Sequence, residues 1–152
     1  EGLAFESAIE SDSAPVADVV LKLLSAGVEI HCLRDLTRGG LTSVLNEISE
    51  AAHLAIHVEE KLIPVREDVR AACEVLGLDP LQVACEGRFA AFVPEREVGR
   101  TLEIMRAYPS AAGACRIGQV SDQRAAKVLI KSAIGPQRIL DMSSGEQLPR
   151  IC

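Results

Sequence analysis

Val16, Val19, Val20, Leu23 and Leu24 recur at helical spacing near the start of the chain, and Gly27 closes the run, which predicts a first helix. Residues 1–14 are polar and irregular and lead into Ser11-Asp12-Ser13-Ala14-Pro15, an incoming linker with helix-start chemistry. Ser13 stands where an N-cap is expected and Pro15 near the first turn. Ile30 to Leu33 is a short apolar run and predicts a buried strand. After Gly40, Leu41, Val44, Leu45, Ile48 and Ala52 form the apolar stripe of a second helix, with Asn46, Glu47 and Glu50 facing away.

Leu54 to Val58 alternates with a period of two, placing Leu54, Ile56 and Val58 on one face of a strand. Val69, Ala72, Cys73 and Leu76 mark a third helix that stops at Gly77, and Asp79-Pro80 opens a short turn or helical piece. Phe89 to Val93 is a strand ended by Pro94. Glu95 to Ala107 predicts a fourth helix with Val98, Leu102 and Met105 inward. Three short strands follow: Cys115 to Val120, Lys127 to Ser132 and Arg138 to Asp141. Helices and strands are interspersed, so the expected class is α/β (α+β, layered), a mixed sheet with flanking helices.

Composition narrows the function. The 152 residues suit one domain, and a 48% hydrophobic content supports a sizeable core. A net charge of −6 disfavours phosphate-backbone binding, and one Tyr, three Phe and no Trp leave little for base stacking, so nucleic acid is excluded as a partner. No apolar run reaches the length of a membrane span and no secretory signal pattern opens the chain, so no membrane role is expected. The five cysteines (Cys32, Cys73, Cys85, Cys115 and Cys152) form no CxxC pair, which fits reduced thiols in a cytoplasmic protein. The chain starts Glu1-Gly2-Leu3-Ala4 without Met, as expected of a piece whose N-terminal part is absent.

Three places carry candidate chemistry. Arg34-Asp35-Leu36-Thr37-Arg38-Gly39-Gly40 lies between a strand and a helix. Paired glycines let backbone N–H groups turn outward at a helix N-terminus, where an anion is favoured. Arg34 and Arg38 can add charge-assisted contacts, and Asp35 or Thr37 can cap the helix. A loop that needs its glycines for geometry alone is the competing reading. Ala84-Cys85-Glu86-Gly87-Arg88 places a carboxylate beside a glycine that permits close approach; partial burial would fit Glu86 for proton transfer. An exposed Glu86, or one paired with Arg88, is the plain alternative. The third is Cys152, closing Leu148-Pro149-Arg150-Ile151-Cys152. A terminal Cys adds little to a core but offers a nucleophilic thiolate on an arm, and Ser143, Ser144, Gly145 and Pro149 suit residues 143–152 to a flexible tail. His31 beside Cys32 is a weak dyad candidate. His53 and His57 need not share a face, and no metal-ligand set is assigned.

Asp35-Leu36-Thr37-Arg38-Gly39-Gly40-Leu41, Cys85-Glu86-Gly87 and Pro149-Arg150-Ile151-Cys152 together resemble the HypE family of hydrogenase maturation proteins over nearly the whole chain. That family sits in the aminoimidazole-ribonucleotide synthetase superfamily, with selenophosphate synthetase and thiamine-monophosphate kinase. Leu36 departs from the family, which often has Pro there.

The resemblance implies the superfamily's C-terminal domain fold over residues 1–142 and an acceptor tail over 143–152. It implies an ATP-dependent carbamoyl dehydratase: a carbamoyltransferase (HypF) loads Cys152, ATP phosphorylates the amide oxygen, and phosphate loss leaves a thiocyanate for the nickel–iron centre on a HypC–HypD scaffold. Glu86 matches the position expected to assist deprotonation. Asp35, Thr37, Arg38, Gly39 and Gly40 are implied phosphate or nucleotide contacts. Mg²⁺ ligands, a catalytic lysine and the homodimer contact are expected from an N-terminal domain, so this chain alone is expected neither to bind ATP tightly nor to hydrolyse it. A superfamily enzyme acting on a small diffusible substrate, and a non-enzymatic docking domain, are the two competing readings.

Overall fold

A computed structural model describes residues 9–142; the tail, with Cys152, lies outside the described residues. The elements run α1 (Ala17–Ser25), β1 (Cys32–Leu36), α2 (Gly40–Ala52), β2 (Ala55–Glu59), α3 (Glu67–Leu76), β3 (Cys85–Phe92), α4 (Val98–Arg106), β4 (Gly118–Val120), β5 (Lys127–Lys131) and β6 (Gln137–Ile139). The mixed sheet is present with four strands in the order β4-β2-β5-β6, in which β2 and β5 run parallel and the outer pairings are antiparallel. β1 and β3 stand apart as an antiparallel pair.

The main core follows from two periodicities meeting. Leu41 and Leu45 lie one turn apart on α2 and bury against Ile56 and Val58 of β2 and Val128 and Ile130 of β5. The parallel register pairs Ile56 with Val128 and Val58 with Ile130, so all four side chains share one face. Leu81 and Leu140 complete the cluster. Val19 and Leu23 are buried on α1, which packs against α4.

Several expectations shift. α1 begins after Val16, and the Ser13 N–H is bonded to Ser11 Oγ, so Ser13 caps no helix. Leu24 and Ala52 are exposed. The 95–107 helix is a 3-10 turn over Glu95–Glu97 followed by α4. The strand expected from Cys115 starts only at Gly118, and the last strand is Gln137–Ile139 rather than Arg138 to Asp141.

Asn46 does not face away. It is only 9% exposed and donates from Nδ2 to the carbonyls of Thr42 and Leu140, both at 2.9 Å, tying α2 to the segment after β6. Asn46→Ala removes both donors and leaves the buried Leu140 carbonyl short of a partner. It should lower the unfolding free energy by about 1–3 kcal/mol, read from the denaturant midpoint at unchanged m-value.

Candidate active site

β1 extends past its apolar run because its backbone pairs with β3, so Arg34 and Asp35 are strand residues rather than loop residues. The chain then turns through Thr37-Arg38-Gly39 into α2. Gly39 and Gly40 have φ of +73° and +58°, consecutive left-handed positions that cost an L residue about 1–2 kcal/mol each. The Gly40 N–H donates to the Thr37 carbonyl at 3.0 Å, and Gly39 is the N-cap, with no side-chain cap from Asp35 or Thr37.

Gly40 is also pressed against the segment before β3. A β-carbon there would lie 2.5 Å from the Val83 carbonyl oxygen and 2.7 Å from that of Leu81. The glycine pair therefore serves the loop's own packing first. Gly40→Ala combines a left-handed backbone with a clash against main-chain atoms, and should destabilise by about 2–4 kcal/mol in a denaturant titration.

That same packing brings the two internal motifs together. A 3-10 turn over Pro80–Gln82, capped by the Asp79 carboxylate accepting from the Leu81 N–H at 2.9 Å, delivers the chain to β3 beside the start of α2. Leu36, the last residue of β1, pairs with Cys85, the first of β3. The next pair inward is Asp35 with Phe89, so Glu86, Gly87 and Arg88 are extra residues on β3 with no partner on β1. They form a bulge, the local device that re-aims side chains at sheet ends and beside active sites. Cys85-Glu86-Gly87 thus lies within the strand, not before it.

Glu86 is exposed, which is the plain alternative for this position and not the partly buried arrangement. Arg88 is not its partner either. Asp35, Arg38 and Glu86 make no side-chain hydrogen bond or ion pair with another described residue, leaving two carboxylates and one guanidinium uncommitted at this end of the ladder. Arg34 is committed: its Nη2 donates to Glu47 Oε2 of α2 at 2.8 Å, so it is not a free anion contact. Gly87 opens no space for a substrate, because the chain's own Asp12–Ala14 lies against its α-carbon. Sequence reasoning missed Asp12 and Glu47; no local pattern marks either.

The thiols are subdued. Burial pushes the half-buried Cys85 up from the usual thiol range, the Asp12 carboxylate adds to it, and Arg88 only partly opposes. Burial raises Cys73 as well. Neither is a thiolate nucleophile at neutral pH. His31 pairs with Glu29 at 3.4 Å rather than with Cys32; His53 caps α2 in a left-handed conformation, and His57 meets Gln137 at 3.2 Å on the four-stranded sheet. A groove of about 440 Å³ on that sheet is lined by His57, Glu59, Arg116, Lys131 and Gln137, and none of the described site residues expected from the sequence borders it. Among the described residues no group of three His, Cys, Asp or Glu can hold a metal ion, and no helix is long and apolar enough to cross a membrane.

The fold belongs to a defined class. Residues 7–131 match the family of AIR synthase related protein, C-terminal domain, and the chain belongs to that family. Within it, the chain is a HypE-type domain. It is 48% identical to carbamoyl dehydratase HypE of Rhodobacter capsulatus over 150 residues, 99% of this chain and 44% of that protein. Against carbamoyl dehydratase HypE of Azotobacter vinelandii the identity is 49% over 152 residues, all of this chain and 45% of that one. A crystal structure of hydrogenase maturation protein HypE superposes with a TM-score of 0.91 at 44% identity, over 99% of this chain and 49% of that chain. HypE in complex with ATP gives 0.90 at 44%, over 99% and 46%, and a HypE–HypF complex gives 0.85 at 38%, over 93% and 46%. The chain spans less than half the length of the curated relatives it matches.

Proposed function

We propose that the protein to which this chain contributes is the carbamoyl dehydratase of nickel–iron hydrogenase maturation. The chain supplies a C-terminal domain over residues 1–142 and an acceptor tail over 143–152, while an N-terminal domain binds most of the nucleotide. The observation that carries this reading is the pairing of Leu36 with Cys85, which sets the Thr37-Arg38-Gly39-Gly40 turn beside the Glu86 bulge. Identity of 48–49% to HypE proteins along the chain supports it.

In this mechanism the Cys152 thiolate accepts a carbamoyl group from a carbamoyltransferase of the HypF kind, giving an S-carboxamide. An amide oxygen is a poor nucleophile, and hydroxide is a poor leaving group. Glu86 takes one N–H proton as the oxygen attacks the γ-phosphorus of ATP, releasing ADP. The second N–H proton then leaves as the C–O bond breaks, expelling phosphate and leaving a thiocyanate. Arg38 faces the developing phosphate charge, while Asp35, Thr37, Gly39 and Gly40 shape the turn that presents it. Among the described residues no set fits Mg²⁺. The cyano group passes to iron on a HypC–HypD scaffold in the cytoplasm, and the full-length protein works as a homodimer.

The test is the covalent state of Cys152 in full-length protein incubated with the carbamoyl-transferring partner, its carbamoyl donor and ATP. Mass spectrometry of the tail peptide should show a carbamoyl adduct that loses one water only when ATP is present. An unmodified Cys152 under conditions that support hydrogenase maturation overturns the reading.

A further inference from the structure

Glu86 has no side-chain partner among the described residues, so no described side chain aims its carboxylate. Its direction is set by the backbone of a three-residue insertion, Glu86 to Arg88, that β1 does not pair. A bulge gives up ladder hydrogen bonds and needs another element to hold its course. A remote part of the chain provides one. The segment Asp12–Ala14 crosses the bulge so closely that a β-carbon on Gly87 would overlap the Asp12 carbonyl oxygen. The same β-carbon would come within 2.8 Å of the Ala14 nitrogen and 3.0 Å of its Cβ. On the other side of Glu86, the Cys85 Sγ donates to the Val83 carbonyl at 3.6 Å, and the Asp12 carboxylate lies close enough to push that thiol up. The incoming segment therefore lies against Gly87 and beside Cys85, the two neighbours of Glu86.

We infer that Asp12–Ala14 is a strap that fixes the β3 bulge, and that Asp12 and Gly87 are positioning residues for the Glu86 carboxylate. The inference rests on the role proposed for Glu86. Its physical content is clearance. With none between Gly87 and the strap, any added side chain either lifts the strap or rotates the bulge. A displacement of about 1 Å in a reacting group can cost about a hundredfold in rate. Asp12 acts from outside the reacting atoms, because its carbonyl oxygen lies against Gly87.

The experiment uses the full-length protein, carbamoylated at Cys152, and follows water loss from the tail peptide after ATP is added. Gly87→Ala should slow dehydration about tenfold to a hundredfold. The KM for ATP should stay within about twofold, as expected for an interaction felt only in the chemical step. Asp12→Ala, an exposed change that keeps the fold, should slow it in the same sense by a smaller factor. Both variants should also speed alkylation of Cys85 by iodoacetamide, because lifting the strap or truncating Asp12 takes the adjacent negative charge away from the thiol. In the Glu86→Gln background, Gly87→Ala should add no further loss, since it acts through the carboxylate already removed.

Unchanged Cys85 alkylation in both variants overturns the strap, whatever Glu86 does. Additive losses in the double variant overturn positioning and leave a general packing defect. A wild-type dehydration rate for Glu86→Gln removes the catalytic role on which the inference stands, and that result is separate from the alkylation readout.

Discussion

Full-length protein carrying Cys152→Ala takes up no carbamoyl group, and no thiocyanate forms at any ATP concentration. The expectation is a complete loss rather than a reduced rate, because no other described thiol can substitute. Cys73 is buried, Cys85 is half-buried with its thiol pushed upward by burial and by Asp12, and Cys32 lies within the β1–β3 ladder. Cys115 is exposed, but its sulfur is engaged with the Leu62 carbonyl at 3.3 Å in the connection before β4. The ten residues beyond Met142 span at most about 35 Å when fully extended, more than the radius of a domain this size, and the proposed function requires that span to bring Cys152 both to a loading partner and to the Glu86 bulge. Cys152→Ser sharpens the result: it keeps size and polarity but lacks thiolate nucleophilicity at neutral pH. It too should carry no carbamoyl adduct by intact-mass measurement. An adduct on Cys152→Ala protein, or wild-type hydrogenase activity in cells carrying it, would place the chemistry elsewhere. Removing residues 148–152 tests the small-substrate alternative, which predicts retained activity.

How much of this was legible before the fold was known depends on whether a signal is local. The helical stripes of α1, α2 and α3 were, because Val19 with Leu23, Leu41 with Leu45 and Val69 with Cys73 follow a 3.6-residue period that burial enforces. The strand Ala55–Glu59 showed its alternation for the same reason. β1 and β3 were misplaced because their polar residues are held by each other. Arg34 and Asp35 read as loop until Ala90 and Phe89 pair with them, and Cys85 joins its strand only through Leu36. Asn46 looked like a surface residue because its second carbonyl partner lies 94 positions away in Leu140. At the site, the motif residues were legible as types, but their convergence was not. Spacing cannot show that Gly40 is shaped by Leu81 and Val83, nor that Gly87 is shaped by Asp12 and Ala14. In both cases a glycine that sequence reasoning reserves for a ligand is consumed by the chain's own backbone. Among the described residues, the site side chains left without a partner are then Asp35, Arg38 and Glu86.

Among those three, Glu86 carries the largest kinetic expectation after Cys152. Glu86→Gln keeps the side chain's length and shape and leaves the bulge's backbone contacts untouched, so the fold and strap should be unaffected. It removes the carboxylate as proton acceptor. Cys152 should still accept the carbamoyl group at the wild-type rate, because attack of its thiolate does not pass through Glu86. Dehydration should slow by about 10²–10⁴, the usual contribution of a positioned general base. Rapid mixing with ATP, quenching and mass spectrometry of the tail peptide separates the steps: the variant should accumulate the carbamoyl form where the wild type proceeds to loss of water. The exposure of Glu86 among the described residues adds a condition to this expectation. Proton abstraction from a weakly acidic amide is favoured where water is excluded, so the face around Glu86 must be covered in the reacting complex by the nucleotide-binding domain and by the tail itself. Glu86→Asp probes that geometry by keeping the charge and withdrawing it by one methylene. An intermediate rate for Asp, between wild type and Gln, marks a carboxylate whose position matters. Equal rates for all three proteins would show that the N–H proton leaves by another route, and that the bulge holds Glu86 for a purpose other than catalysis.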